Sequence, residues 1–252
     1  MGFINFIKNI CSYYTFTIIC FLYLFNPKNY TPASRETFVK QVFYTAIEIL
    51  PVFILLTIIF GIFIVGVFIS LAIEYGLKEY IGYIIVKIII VELSPFIIAL
   101  FISLRTGIRV GVKIALMKVN NELNFLQRYR IDIVRYLCMP MALANTISFV
   151  SLLFLFALIM VLSSYVYIFL SINMGFDIFL TTLLNAVSLR DIIIFLAKSL
   201  IFGFIIITIP SYDGIHMEKR YFKLPKSLSN TMLSLFFIIF TVEVLSLAIE
   251  YI

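Results

Sequence analysis

The chain has 252 residues, 63% hydrophobic and 13% charged, with a mean hydropathy of +1.14. A soluble domain carries roughly 45–50% apolar and 25% charged residues, so this is the composition of an integral membrane protein. At about 20 residues per crossing the length allows roughly five helices with connections and leaves no room for a separate soluble catalytic domain. The apolar runs are continuous rather than alternating, which predicts an all-α fold and argues against a membrane barrel. The net charge of +6 reports orientation in such a protein before it reports nucleic acid. Cys11, Cys20 and Cys138 share no CxxC spacing, so neither a disulfide nor a metal site is expected.

The first 28 residues hold an apolar run of about 11 residues, too short to span, which Asn26, Pro27 and Lys28 end. The expectation is a helix lying in the membrane interface, with Tyr13, Tyr14, Phe16 and Phe21 towards lipid. TPASRETFVKQVFYTAIEIL follows, with Ser34 and Thr37 as candidate N-caps and Arg35 and Lys40 at the membrane surface. The chain therefore reads as one unit, residues 1–45 an interfacial region and 46–252 the transmembrane core.

A first span is expected from Leu50 to Ala72, and a second from Ile81 through Glu92 and Pro95 to Arg105. Pro95 removes a backbone hydrogen bond and is expected to kink or break the second span near Val91. A third span runs from Leu137 to Ser163. Phe176, Phe179, Leu180, Leu183, Leu184 and Val187 then recur at helical spacing opposite Asp177, Thr181, Asn185 and Ser188, predicting a short amphipathic helix along a surface. A fourth span from Ile192 to Pro210, the basic loop HMEKRYFKLPK and a fifth span from Ser229 to Ala248 complete the chain.

Basic residues fall on alternate connections. Lys8, Lys28, Arg35 and Lys40 precede the first span; Arg105, Arg109, Lys113, Lys118, Arg128, Arg130 and Arg135 separate the second and third; Lys219, Arg220, Lys223 and Lys226 separate the fourth and fifth. The other side has Lys78 and Arg190. The positive-inside rule then puts the N-terminus in the cytoplasm and the C-terminus outside, as five spans require.

The chain contains no GxxxxGK[ST] loop, HExxH or GxSxG, and its one histidine, His216, is expected in a solvated loop. No catalytic or metal-ligating set emerges. Glu92, among Ile88, Ile89, Ile90, Val91 and Leu93, would be costly facing lipid, so it is expected to face protein or a polar cavity. Two readings stay open: a polar lining of a transport path at a broken helix with Ser94 and Pro95, or a buried ion pair with Lys198. Arg105 and Arg109 read as cytoplasmic anchors near phosphates, and Val119, Leu123 and Leu126 as an apolar stripe made for a partner.

VELSPFIIALFISLRTGIRVGVKIALMKVNNELNFL resembles, without gaps, the characteristic block of the MlaE/YrbE permease family: Glu92, Leu93 and Pro95 fall on its ELxP, Arg105 and Gly107 on its RxG, and Met117, Lys118, Val119, Leu123 and Leu126 on its last part. Further likeness lies in Ile49 to Gly61, Ala197 to Gly203, Ser211 to Gly214 and Lys226 to Leu235. The resemblance implies the permease subunit of an ABC-type lipid transporter in the inner membrane. It further implies a homodimer, a separate cytoplasmic ATPase that binds the ATP, an outward-side lipid-binding partner of the MCE type, and phospholipids or similar large lipids as cargo. The permease itself would hold no cofactor. Met117, Lys118, Val119, Glu122, Leu123 and Leu126 would form the coupling helix that docks on the ATPase. Val91 stands where the family carries arginine, Ser94 where it carries glycine, and Lys113 and Asn121 where it carries acids. The rival readings are an ATPase-independent secondary transporter or channel, for which no inverted repeat is visible, and a lipid-modifying enzyme, for which no His, Asp or Cys cluster is present.

Overall fold

The computed structural model describes residues 2–24 and 32–251, and among these no strand occurs. The expected stop at Asn26, Pro27 and Lys28 and the side chains of Lys8, Cys11, Lys78 and Lys223 lie outside the described residues. The helices are α1 (Gly2–Leu24), α2 (Ser34–Glu74), α3 (Ile81–Val119), α4 (Glu122–Arg128), α5 (Val134–Ile172), α6 (Phe176–Ala186), α7 (Leu189–His216) and α8 (Leu224–Tyr251). Five of them, α2, α3, α5, α7 and α8, are long and apolar enough to cross a membrane. The protein is an all-α membrane protein.

Each crossing is longer than expected. α3 does not stop at Arg105 but continues to Val119, and α7 does not stop at Pro210 but continues to His216. His216 thus belongs to a helix end, its Nδ1 2.8 Å from the Tyr212 carbonyl and its ring stacked on that tyrosine. A run of apolar residues marks only the part of a helix bathed in hydrocarbon, whereas the hydrogen-bonded helix extends into the polar zone on either side.

Prolines do not break these helices. Pro51, Pro95 and Pro140 are each preceded by π-helical backbone, over Phe43–Ile47, Ile84–Leu93 and Val134–Cys138 respectively. Proline lacks an N–H and its ring pushes on the carbonyl one turn back. Widening the upstream turn relieves the clash and lets the helix continue. The expected break near Val91 is therefore a ten-residue π-helical stretch, and Ser94 helps to stabilise it by donating from Oγ to the Ile89 carbonyl at 2.8 Å.

α7 lies at the centre, packed on α5, α3, α8 and α1. Gly203 allows the closest of these approaches: a Cβ there would lie 2.7 Å from Thr146 Cα on α5, and Asn145 Nδ2 donates to the Gly203 carbonyl at 2.6 Å. Small residues serve this purpose where helices associate in lipid. Gly61 acts similarly, with a Cβ predicted 2.7 Å from Ser163 Oγ.

α1 corrects one expectation. Tyr14 and Phe21 are exposed, but Tyr13 and Phe16 are buried with Cys20 on one face of the helix. The Tyr13 hydroxyl donates to Asp213 Oδ1 at 2.9 Å, and both Tyr13 and Phe16 meet Tyr212 edge to face. A buried phenol needs a partner for its hydroxyl, and Asp213, far away in sequence, supplies it. In α6 the predicted stripe is narrower than expected, since only Phe179 and Leu183 are buried. It lies over the start of α3, where a Cβ on Gly82 would lie 2.6 Å from the Thr182 carbonyl.

Two cores result. The larger holds residues of α2, α3, α5, α7 and α8. The smaller gathers Phe16, Cys20, Val110, Ile114, Leu123, Ile133, Leu137 and Cys138 at the basic end of the bundle.

Candidate functional site

A ladder of charges lies between α3, α7 and α8. Lys198 on α7 pairs with Glu92 on α3 and, at 3.0 Å, with Glu243 on α8. Nearer the helix ends, Lys87 on α3 pairs with Asp191 on α7 and lies 3.7 Å from Glu250 on α8. The Lys198, Glu92 and Glu243 side chains are 3%, 9% and 10% exposed, so the inner rung is shielded from water and lipid alike.

Local sequence places the outer rung. Ser188 and Asp191 form a capping box at the start of α7, the Ser188 side chain accepting from the Asp191 N–H and the Asp191 carboxylate accepting from the Ser188 N–H. One Asp191 oxygen is left for Lys87. Arg190 donates to the carbonyls of Ile249 and Glu250 at 2.9 and 3.1 Å, which ties the end of α8 to the start of α7.

Of the residues singled out in sequence, Glu92 and Lys198 meet directly, which is the ion-pair reading. Ser94 and Pro95 are buried in the helix wall, so neither faces an open path in this arrangement. Glu243, Glu250, Asp191 and Lys87 were not selected as site residues. Glu243 could have been, because it sits in the expected fifth span as conspicuously as Glu92 sits in the second. Asp191 and Glu250 lie outside the expected spans and become part of the interior only through packing.

The basic end is organised differently. Arg109 makes a two-pronged contact with Glu48 at 2.8 and 3.0 Å and lies over the Tyr44 ring; Arg105 approaches the same carboxylate at 3.5 Å. The expected anchors thus meet a protein acid. The expected coupling segment is two elements: Met117, Lys118 and Val119 end α3, Asn121 turns the chain at a φ of 63°, and Glu122, Leu123 and Leu126 belong to α4. A cleft of about 610 Å³ opens between them, lined by Met117, Glu122, Phe125, Leu126, Arg128 and Tyr136 among others. Asn120 and Asn121 accept hydrogen bonds from Tyr221 and Lys219, so the two basic connections share this end.

Leu123 requires a correction. It is 1% exposed and packs in the smaller core, so it holds α4 to the bundle and offers nothing to a partner. Leu126 is half-buried against the same core. The outward apolar surface is Phe125 and Tyr129, 58% and 65% exposed, with ring centroids 4.7 Å apart. An aromatic four residues before another, the second just past the end of a seven-residue helix, was the available signal.

No group of three or more His, Cys, Asp or Glu suited to a metal occurs among the described residues. Cys20 and Cys138 are buried free thiols.

Residues 38–249 match the family described as Permease MlaE. Probable ABC transporter permease proteins of Rickettsia typhi, Rickettsia prowazekii and Rickettsia felis are 25%, 24% and 24% identical over 221 residues, covering 86% of this chain and 82% of each relative. With five helices of crossing length arranged as described and the family match spanning all of them but the first turns of α2 and the end of α8, the chain belongs to the MlaE permease family.

Proposed function

We propose that the chain is the permease subunit of an ABC-type transporter that moves phospholipid or a similar large lipid between the inner membrane and the cell envelope. The energy comes from a separate ATPase subunit. The observation that carries the reading is the cleft between the end of α3 and α4, with Phe125 and Tyr129 standing out beside it. An exposed aromatic pair on a short helix and its C-cap, with the helix burying its other side through Leu123, is the geometry of a surface made for a partner. The family match and the relatives' names support the same reading, and the chain has no phosphate-binding loop of its own.

In this reading the basic end faces the cytoplasm, where the ATPase docks in the cleft. Its nucleotide-dependent motion passes along α3, one continuous helix from the cleft to the charge ladder. A second copy of the chain and an MCE-type lipid-binding protein on the outward side complete the assembly. The N-terminus is cytoplasmic and the C-terminus external by the distribution of Lys and Arg.

The test is co-expression with the ATPase subunit encoded beside it and reconstitution into phospholipid vesicles. The expected result is lipid-dependent ATP hydrolysis and co-purification of the ATPase, both abolished by Phe125→Asp with Tyr129→Asp. Co-purification that survives the double substitution overturns the docking surface; hydrolysis in vesicles that is indifferent to lipid overturns the cargo.

A further inference from the structure

A groove of about 390 Å³ opens between α1, α5 and α7, with Ile18 and Phe21 on one wall and Leu200, Phe204 and Ile205 on the other. Two threonines line it, and both hydroxyls are already engaged. Thr17 donates to the Tyr13 carbonyl at 2.7 Å and lies 3.2 Å from Thr208 Oγ1, and Thr146 donates to the Ala142 carbonyl at 2.8 Å. A groove with its polar side chains satisfied internally holds water poorly and suits hydrocarbon. Its floor is closed: Thr146, Phe204 and Ile205 are buried, and Thr146 lies against Gly203, where an added Cβ would come within 2.7 Å of the Thr146 Cα. Its rim is open, since Ile18, Phe21 and Leu200 are exposed. An occupant therefore enters from the membrane side and does not pass between α5 and α7 into the bundle.

Leu143 on α5 lines this groove and also a second cavity, of about 600 Å³, which it shares with Pro140 and Ile147 of α5 and with Arg35 and Phe38 at the start of α2. Arg35 is exposed and no acid pairs with it among the described residues; Glu36 beside it is engaged by Lys40. An apolar slot and an uncommitted guanidinium, adjoining at Leu143, match the two ends of a phospholipid. A guanidinium is well suited to a phosphate, and both volumes fall within the roughly 300–1,000 Å³ of small-ligand sites.

We propose that one phospholipid of the surrounding leaflet is resident here, an acyl chain lying in the groove between α1, α5 and α7 and its phosphate bound by Arg35. Together with the Tyr13–Asp213 hydrogen bond, the lipid holds α1 to the bundle. It is a fixed component and not the cargo, because the closed floor at Gly203 gives it no way inward. The site rests on the membrane class of the protein alone and is independent of what the transporter moves.

The experiment is native mass spectrometry of the purified full-length chain, stripped of lipid in detergent and titrated with three probes. These are phosphatidylglycerol, the diacylglycerol with the same chains but no phosphate, and inorganic phosphate. The expected result is one phosphatidylglycerol per chain, held about tenfold more tightly than the diacylglycerol, as one charge-assisted contact provides, and not displaced by inorganic phosphate. Arg35→Gln lowers phosphatidylglycerol to the level of the diacylglycerol. Arg220→Gln, which removes the same charge from an exposed site outside both cavities, leaves it unchanged. Ile201→Trp, which fills the groove from its exposed rim, abolishes the retention of both lipids; should it fail to fold, Ile18→Trp on the opposite wall takes its place. Binding without a one-to-one step, binding that survives Arg35→Gln or the groove-filling substitution, or displacement by inorganic phosphate overturns the proposal. So does a dimer in lipid-free detergent that Ile201→Trp breaks, which would put a second copy of the chain in the groove. No readout involves an ATPase or lipid transport, so the outcome is separate from that of the proposed function.

Discussion

Lys198 and Arg109 are both cations on long helices that meet carboxylates on neighbours, yet their surroundings are opposite. Lys198 is 3% exposed and serves two acids; Arg109 is 36% exposed and shares Glu48 with Arg105. In the interior an ion pair must offset several kcal/mol of desolvation per ion, and removing one partner strands the other. At the surface water and salt weaken the pair and cushion its loss. The ladder is therefore a set of charges that can exist only together, and the basic end is a set of charges that tolerates change. That contrast fits a rigid region where three helices are cross-linked and an adaptable region where a partner is proposed to dock.

The largest effect is expected at Lys198. Lys198→Met leaves Glu92 and Glu243 without their cation and should lower stability by about 3–5 kcal/mol, read as the unfolding midpoint in detergent. Adding Glu92→Gln and Glu243→Gln should recover most of the loss; a triple variant no better than the single one would mean that the ladder does not act as a unit. Leu123→Ala comes next, costing roughly 2–5 kcal/mol as a buried leucine, and should appear chiefly as faster amide exchange over Glu122–Arg128 rather than as global unfolding. Gly203→Ala forces α7 away from Thr146 and should cost about 1–3 kcal/mol by overpacking, again seen in the unfolding midpoint.

Phe125→Asp with Tyr129→Asp should leave the midpoint within about 0.5 kcal/mol of the native chain, since neither ring is part of a core. A large loss would show that the pair is structural. Smallest of all, Glu48→Gln should leave the midpoint unchanged at high salt, because an exposed pair contributes little there. If Glu48→Gln proved as damaging as Lys198→Met, the distinction between the two regions would collapse.

How much of this was legible in the sequence follows from the range of each interaction. Glu92 and Lys198 stand out because an acid or a lysine inside an apolar run has to be neutralised by something, and that argument needs no coordinates. Glu243 was open to the same argument. Glu250 and Asp191 were not, since each lies at the edge of its apolar run and looks solvated until α8 and α7 are set side by side. Leu123 shows the reverse failure. Its place in an apolar stripe with Val119 and Leu126 was visible, but a stripe at helical spacing looks the same whether it faces a partner or the chain's own core. The turn at Asn121 and the cluster it shares with Ile133 and Leu137 decide that it faces the core.

The sequence by itself determined the membrane class, the five crossings and the basic bias of alternate connections, because each depends on composition over a window of residues and on the cost of placing polar groups in hydrocarbon. It also marked where a helix would be strained, at Pro95. Only the tertiary structure decided that the strain is absorbed as π-helical turns rather than breaks, that Tyr13 and Phe16 turn inward to Asp213 and Tyr212, and which acids share which lysine. Those outcomes rest on contacts between residues distant in the chain, whose energies no local pattern contains.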